Sequence, residues 1–167
     1  MDIITNNIWM ILILLALVIG VLFVSAKMSG RQISPYAPKR LMTDHEKVFF
    51  PKLEKAASRL GGYRVFPQVA MSAIIDTHRD LAQSARLATR NTFDRKIIDF
   101  VIVDENMHVV MIVELDDRTH RSDKDARRDS ITAGAGYATV RLRNGRKITI
   151  DQIERELRRV WKSKVNV

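Results

Sequence analysis

The chain contains no cysteine. Disulfide scaffolds, thiolate zinc sites and cysteine nucleophiles are excluded together, and any bound metal must rest on oxygen or imidazole. Basic residues are missing from the first 26 positions, where Asp2 is the only acid. Within that stretch IWMILILLALVIGVLFV, residues 8 to 24, has no charged and no strongly polar side chain. Ser25 and Ala26 extend it to about the ~20 residues that a bilayer-spanning helix needs. The expectation is a transmembrane helix over 8–26, preceded by a short extracytoplasmic terminus over 1–7. A cleavable signal ending at Val24-Ser25-Ala26 is the competing reading. The acidic start, and an apolar core longer than the ~7–15 residues usual in signals, favour an uncleaved anchor.

What the chain has in excess is positive charge, with a net +9. All 28 lysines and arginines lie from Lys27 onward. Lys27, Arg31, Lys39 and Arg40 directly follow the apolar run, so the positive-inside bias predicts an amino terminus outside and the rest in the cytoplasm. Residues 27–40 hold two prolines, Gly30 and no apolar period, which predicts an extended basic linker able to rest on anionic lipid headgroups. The following basic domain suits a polyanion, either nucleic acid or a lipid surface. With 46% hydrophobic residues in 167, one domain with a real core is expected, over residues 41–167.

Thr43 and Glu46 have capping-box spacing, and Phe49, Leu53, Ala56 and Leu60 recur at helical intervals until Gly61-Gly62. Tyr63 to Val69 reads as a strand that Pro67 places at an edge, and Ser72 to Arg90 as a weakly patterned helix. KIIDFVIV (96–103) and HVVMIVEL (108–115) flank a polar tip, the pattern of a hairpin of two central strands. Ser122 and Asp125 form a second capping box, for a helix running to about Ala133. ATVRLR (138–143) is a further strand. Parity argues against a tight hairpin at Asn144-Gly145, because it would set Val140 and Leu142 against the wrong partners. From Asp151 a final helix carries Ile153, Leu157, Val160 and Trp161 as a stripe, crowded by Arg155, Arg158, Arg159 and Lys162. The order predicts a three-layer α/β domain.

The chemistry concentrates in MIVELDDRTH, residues 111 to 120. Glu114 and Asp116 share a strand face with Ile112. A hairpin symmetric about Glu105-Asn106 sets Ile112 opposite Asp99, making Glu114 the diagonal neighbour of Asp99 at roughly 7–8 Å. Carboxylates held this close cost several kcal/mol unless a cation or proton intervenes. Oxygen-only ligation favours Mg²⁺ or Mn²⁺, which on a basic domain suits phosphodiester hydrolysis. Asp117 reads better as a solvated strand end. Arg79, Arg86 and Arg90, close to one face of the weakly patterned helix, are candidate nucleic-acid contacts. His45-Glu46 lacks the second histidine of a zincin helix, and Gly134-Ala135-Gly136 lacks the lysine of a phosphate loop.

LMTDHEKVFF, the IDFVI strand, IVELDDRTH and ARRD together resemble a bacterial domain-of-unknown-function family within the PD-(D/E)XK nuclease superfamily. The ELDD..H signature is also similar to that of the very-short-patch-repair-like endonucleases. The resemblance spans about residues 40 to 143 and implies a restriction-endonuclease-like sandwich with a mixed central sheet. It also implies a metal-dependent activity on DNA, with Asp99 and Glu114 as metal ligands and Glu46 as the first-helix acid; taken with the apolar run and its basic flank, the expected location is the bacterial inner membrane. Asp116 stands where the superfamily has its lysine. Lys96 is the nearest substitute cation, although its parity opposes that of Asp99. His120 would polarise water or the leaving oxygen, Arg128 would hold a phosphate, and Asp129 would orient His120. The missing lysine motivates a second expectation, a catalytically silent module that tethers nucleic acid or a partner protein to the membrane.

Overall fold

The computed structural model of the protein describes residues 2–28, 34–116, 123–143 and 145–165. Two compact units emerge, Met1–Lys39 and Arg40–Val167. The first contains α1 (Asp2–Met28). Its Asn7–Ser25 stretch has a mean hydropathy of 3.0, apolar enough to cross a membrane, a property that signal sequences share.

The second unit is a mixed α/β domain. It opens with α2 (Asp44–Gly61), where the predicted capping box forms: Glu46 N donates to Thr43 Oγ1 and Thr43 N to Glu46 Oε2. Gly62 ends the helix at φ 70, in the left-handed region open to glycine. Then come β1 (Arg64–Ala70), a 3-10 turn at Met71–Ala73, α3 (Gln83–Arg90), β2 (Ile97–Val103) and β3 (Val109–Asp116). The chain continues through α4 (Asp123–Gly134), β4 (Thr139–Arg143) and α5 (Ile150–Val165). The helix expected over Ser72–Arg90 is therefore confined to its last eight residues. The segment before α3 instead folds irregularly and buries Met71 and Ile75, and Asp76 Oδ1 accepts from Thr77 N at 2.8 Å. A local carboxylate bond of this kind competes with helix formation.

The sheet order is β1-β2-β3-β4, antiparallel for the first two pairings and parallel between β3 and β4. Pro67 lies on an edge strand, as its lack of an N–H requires. On one face Phe100, Ile102, Met111, Val113, Val140 and Leu142 pack against Phe49, Leu53 and Ala56 of α2 and Ile153 and Leu157 of α5. On the other, Ile98, Val101, Val103 and Ile112 meet Met71, Ile75, Phe93 and the partly buried Ile131 of α4. Residues 145–147 make a turn and no strand follows β4 directly, in line with the parity argument. The N-cap residue of the second predicted capping box, Ser122, lies outside the described residues, as do Asp117, His120 and Asn144.

The hairpin register differs from the symmetric expectation. Asp104 Oδ1 accepts from the N–H groups of Asn106 and His108, and Met107 turns through φ 66, giving a three-residue loop closed by Asp104 N donating to His108 O. That moves the register by one. A bulge beside Val103 moves it once more, so Val101, not Asp99, faces Ile112. Each one-residue shift reverses the facing of the side chains, and two restore it.

Candidate functional site

The restored facing puts Asp99 and Glu114 on one side of the sheet, but closer than the expected diagonal. Phe100 pairs with Val113, so the next rung places Asp99 directly opposite Glu114. On β4, Arg141 pairs with Glu114. On β1, Gln68 falls between Pro67 and Val69, which pair with Phe100 and Ile98, and so lies opposite Asp99. Four polar positions, one per strand, thus cross the sheet in one line.

Gln68 has φ 55, a left-handed conformation uncommon for a residue with a Cβ. It switches the alternation of β1, since Val65 packs with the α2 cluster and Val69 with the opposite one. The Gln68 amide donates to Glu46 Oε1 at 3.2 Å, while Glu46 Oε2 caps α2. The capping role of Glu46 and a position beside the polar line are therefore compatible. Strained conformations of this kind persist where surrounding structure holds them, often at functional sites.

Asp99 Oδ2 accepts from Leu115 N at 2.9 Å. Burial raises the Asp99 carboxyl above its usual range against the pull of that N–H bond, and the charge of Glu46 adds to the rise. Glu114 is only 3% exposed. Burial, and then the charge of Asp99, push its carboxyl up to about 8, although Arg128 and Arg141 pull the other way. Arg128 Nη2 donates to Glu114 Oε2 at 2.7 Å, yet Arg128 Nε is buried without a hydrogen-bond partner. A side-chain hydrogen bond between the two carboxyls lowers Asp99 and raises Glu114, the sense expected of Glu114 donating its proton to Asp99.

A second set of charges adjoins this one. Arg141 Nη1 donates to Asp116 at 2.8 Å and its Nη2 to Asp129. Burial opposes the charge of Arg141, but Asp129 and Asp116 hold it more firmly protonated than a free arginine. Thr132 bridges α4 to β4 through a 3.3 Å hydroxyl contact with Thr139, holding Arg128 and Asp129 over the strands.

The predicted residues divide accordingly. Glu46, Asp99, Glu114, Asp116 and Arg128 come together; Arg128 holds Glu114, where an open phosphate contact was expected, and Asp129 holds Arg141. Lys96 precedes β2 and no hydrogen bond or ion pair joins its side chain to Asp99. Arg86 donates to Thr77 and Arg90 to Asp94, while Arg79 is exposed. Gln68 and Arg141 were not anticipated. Pro67 before Gln68 hints at irregular backbone, but nothing local marks Arg141, whose place depends on strand pairing.

Among the described residues no group of three or more His, Asp or Glu is arranged to hold a metal ion. Asp99 and Glu114 are hard oxygen donors on neighbouring strands, the chemistry that Mg²⁺ and Mn²⁺ prefer. Arg128 stands on one of the Glu114 oxygens, so this pair fits a divalent ion only with that guanidinium turned aside.

These elements define a mixed α/β domain with a four-stranded mixed sheet, in a chain that begins with an apolar helix. The chain belongs to the family described as "Protein of unknown function (DUF2726)", which matches residues 38–160. It is 33% identical over 102 residues to a protein of Haemophilus influenzae (strain ATCC 51907 / DSM 11121 / KW20 / Rd) described as "Uncharacterized protein". That match covers 59% of this chain and spans about half, 49%, of the relative. No solved structure matches.

Proposed function

We propose that residues 41–167 are a nuclease-like domain of the PD-(D/E)XK kind that acts on DNA by metal-dependent phosphodiester hydrolysis. One observation carries this reading: Asp99 and Glu114 face each other across two central strands with one carboxylate more than the guanidinium bonded to them can neutralise. Asp99 and Glu114 would hold Mg²⁺ or Mn²⁺, and the ion would supply charge stabilisation at the phosphoryl group and a more acidic water. Glu46 sits beside the pair through Gln68. Asp116 takes the place of the superfamily lysine and is held by Arg141, so proton transfer falls to His120, which follows β3 in the chain. α1 is the single membrane anchor in this reading, with the domain on the cytoplasmic side of the inner membrane.

The test uses the full chain in neutral detergent with labelled duplex DNA and either metal. Cleavage is expected, and Glu114→Gln abolishes it; undiminished cutting by that variant refutes the assignment. A second readout is independent of turnover. Mn²⁺ raises the unfolding temperature of the wild type more at pH 8.5 than at pH 6, because the ion needs Glu114 deprotonated, and the variant shows no such rise.

A specific observation favours a second reading. Arg128 on Glu114, Arg141 on Asp116 and Leu115 N on Asp99 make a set of internally satisfied acids. In that case the domain is a silent module tethering nucleic acid or a partner protein to the membrane. Salt-dependent DNA binding that survives Glu114→Gln, with no cleavage under either metal, selects it.

A further inference from the structure

Several arginines described in this domain are engaged by acids. Arg59 pairs with Asp151, Arg90 with Asp94, Arg128 with Glu114, Arg158 with Glu154 and Arg159 with Glu156. Arg141 holds two acids. A groove of about 430 Å³ at the end of β4 and the first turns of α5 is different. It is lined by Arg143, Lys147, Ile148, Gln152, Arg155 and Glu156.

Arg143, Lys147 and Arg155 are all exposed, and no ion pair or hydrogen bond engages their side chains among the described residues. The one acid in the lining, Glu156, is held by Arg159 at 2.8 Å. Gln152 Oε1 accepts from Thr149 N and from the Thr149 hydroxyl, which leaves its amide N–H groups without a partner among the described residues. Three unneutralised cations converging on one concavity repel one another, and only an anion with several charges relieves them together.

The groove also has a fixed relation to the acidic line. Arg143 pairs with Asp116, one rung beyond Asp116's partner-side neighbour Leu115 and two beyond the Glu114–Arg141 rung, about 7 Å further along the strand by strand rise. Arg141 and Arg143 share strand parity, so a polyanion lying over the ends of β3 and β4 meets the acids first and these cations next.

We infer that the Arg143–Lys147–Arg155 groove is a binding site for the phosphate backbone of nucleic acid, placed to hold a strand that runs past Asp99 and Glu114. This rests on the proposed action on nucleic acid and specifies where the backbone is gripped. A lipid surface is the less suited polyanion, because among the described lining residues Ile148 alone is apolar and it is half-buried, which leaves no exposed apolar side chain in the lining for insertion.

The experiment is fluorescence anisotropy of the full chain in neutral detergent, with a fluorescein-labelled DNA duplex, EDTA present and salt varied. The comparison is wild type against the triple variant R143Q/K147Q/R155Q. Removal of three phosphate contacts lowers affinity by about tenfold or more at ~0.1 M salt and flattens the slope of log K against log salt by roughly 2 to 3. The unfolding temperature of the variant stays at the wild-type value, since none of the three side chains is paired. An unchanged slope with affinity within about twofold of wild type overturns the inference, as does a wild type that binds no duplex. Cleavage is scored separately with Mn²⁺. Weakened binding by the triple variant in a protein that never cuts retains the groove and removes hydrolysis. Wild-type cutting and binding by the variant remove the groove and retain hydrolysis.

Discussion

On the face of the sheet that meets α2 and α5, Phe100, Ile102, Met111 and Val113 close against Phe49, Leu53, Ile153 and Leu157 with no charge in the buried cluster. The opposite face of the same strands holds Ile98, Val101 and Ile112 together with Asp99, Glu114, Arg128 and Arg141. The first face is stabilised by area removed from water, which is non-directional and indifferent to pH. Stability on the second depends on which acids are protonated and on whether each arginine keeps its carboxylate. Such a face contributes little net energy, because desolvation consumes much of the attraction, and proteins keep such arrangements where chemistry or specificity needs them.

The sharpest way to break that contrast is Phe100→Ala. Phe100 is fully buried between Phe49 and Phe50, with ring centroids 5.5 and 6.0 Å away. Its loss destabilises the domain by about 3–5 kcal/mol with no pH dependence, read from urea midpoints by Trp161 fluorescence in a Trp9→Phe background. Arg128→Met on the other face costs less, about 2–3 kcal/mol, because the guanidinium is partly exposed but leaves Glu114 buried without its partner. A variant as stable as wild type at pH 8 would mean that Arg128 does not neutralise Glu114.

The smallest effect at pH 6 belongs to Glu114→Gln, about 1 kcal/mol or less, since the wild-type carboxyl mostly carries its proton there. Its signature is in the pH profile. Folded Glu114 keeps its proton up to about 8, whereas the unfolded chain releases it near the model value of 4.5. The folded state binds more protons between those values, so this stabilisation is complete below about 4.5 and declines as pH rises towards 8. Asp99 is shifted in the same direction. Urea midpoints from pH 5 to 8.5 should fall in the wild type and fall less steeply in the variant; parallel profiles would contradict the raised Glu114.

The helix from Thr43, the edge position of Pro67, the two central strands and the stripe of α5 were all readable, because capping and hydrophobic period act over a few residues. Asp99 was conspicuous because an acid inside IIDFVIV has no inexpensive apolar explanation, and Glu114 because its strand phase matched Ile112. The tip could not be read in the same way. Asp104 bonding the N–H groups of Asn106 and His108, Met107 at φ 66 and the bulge beside Val103 together moved the register by two. The same-face relation survived only because two shifts preserve parity.

By itself, then, the order of residues determined α2, the two central strands and α5, which sides of them are apolar, and that Asp99 and Glu114 lie on neighbouring strands, since backbone periodicity and local hydrogen bonding act along the chain. Tertiary structure alone decided that Gln68, Asp99, Glu114 and Arg141 form one line, that Arg128 occupies Glu114, and that three cations gather unneutralised at the end of β4. These depend on strand register and on the seating of α4 and α5, which are fixed by packing between segments far apart in the chain.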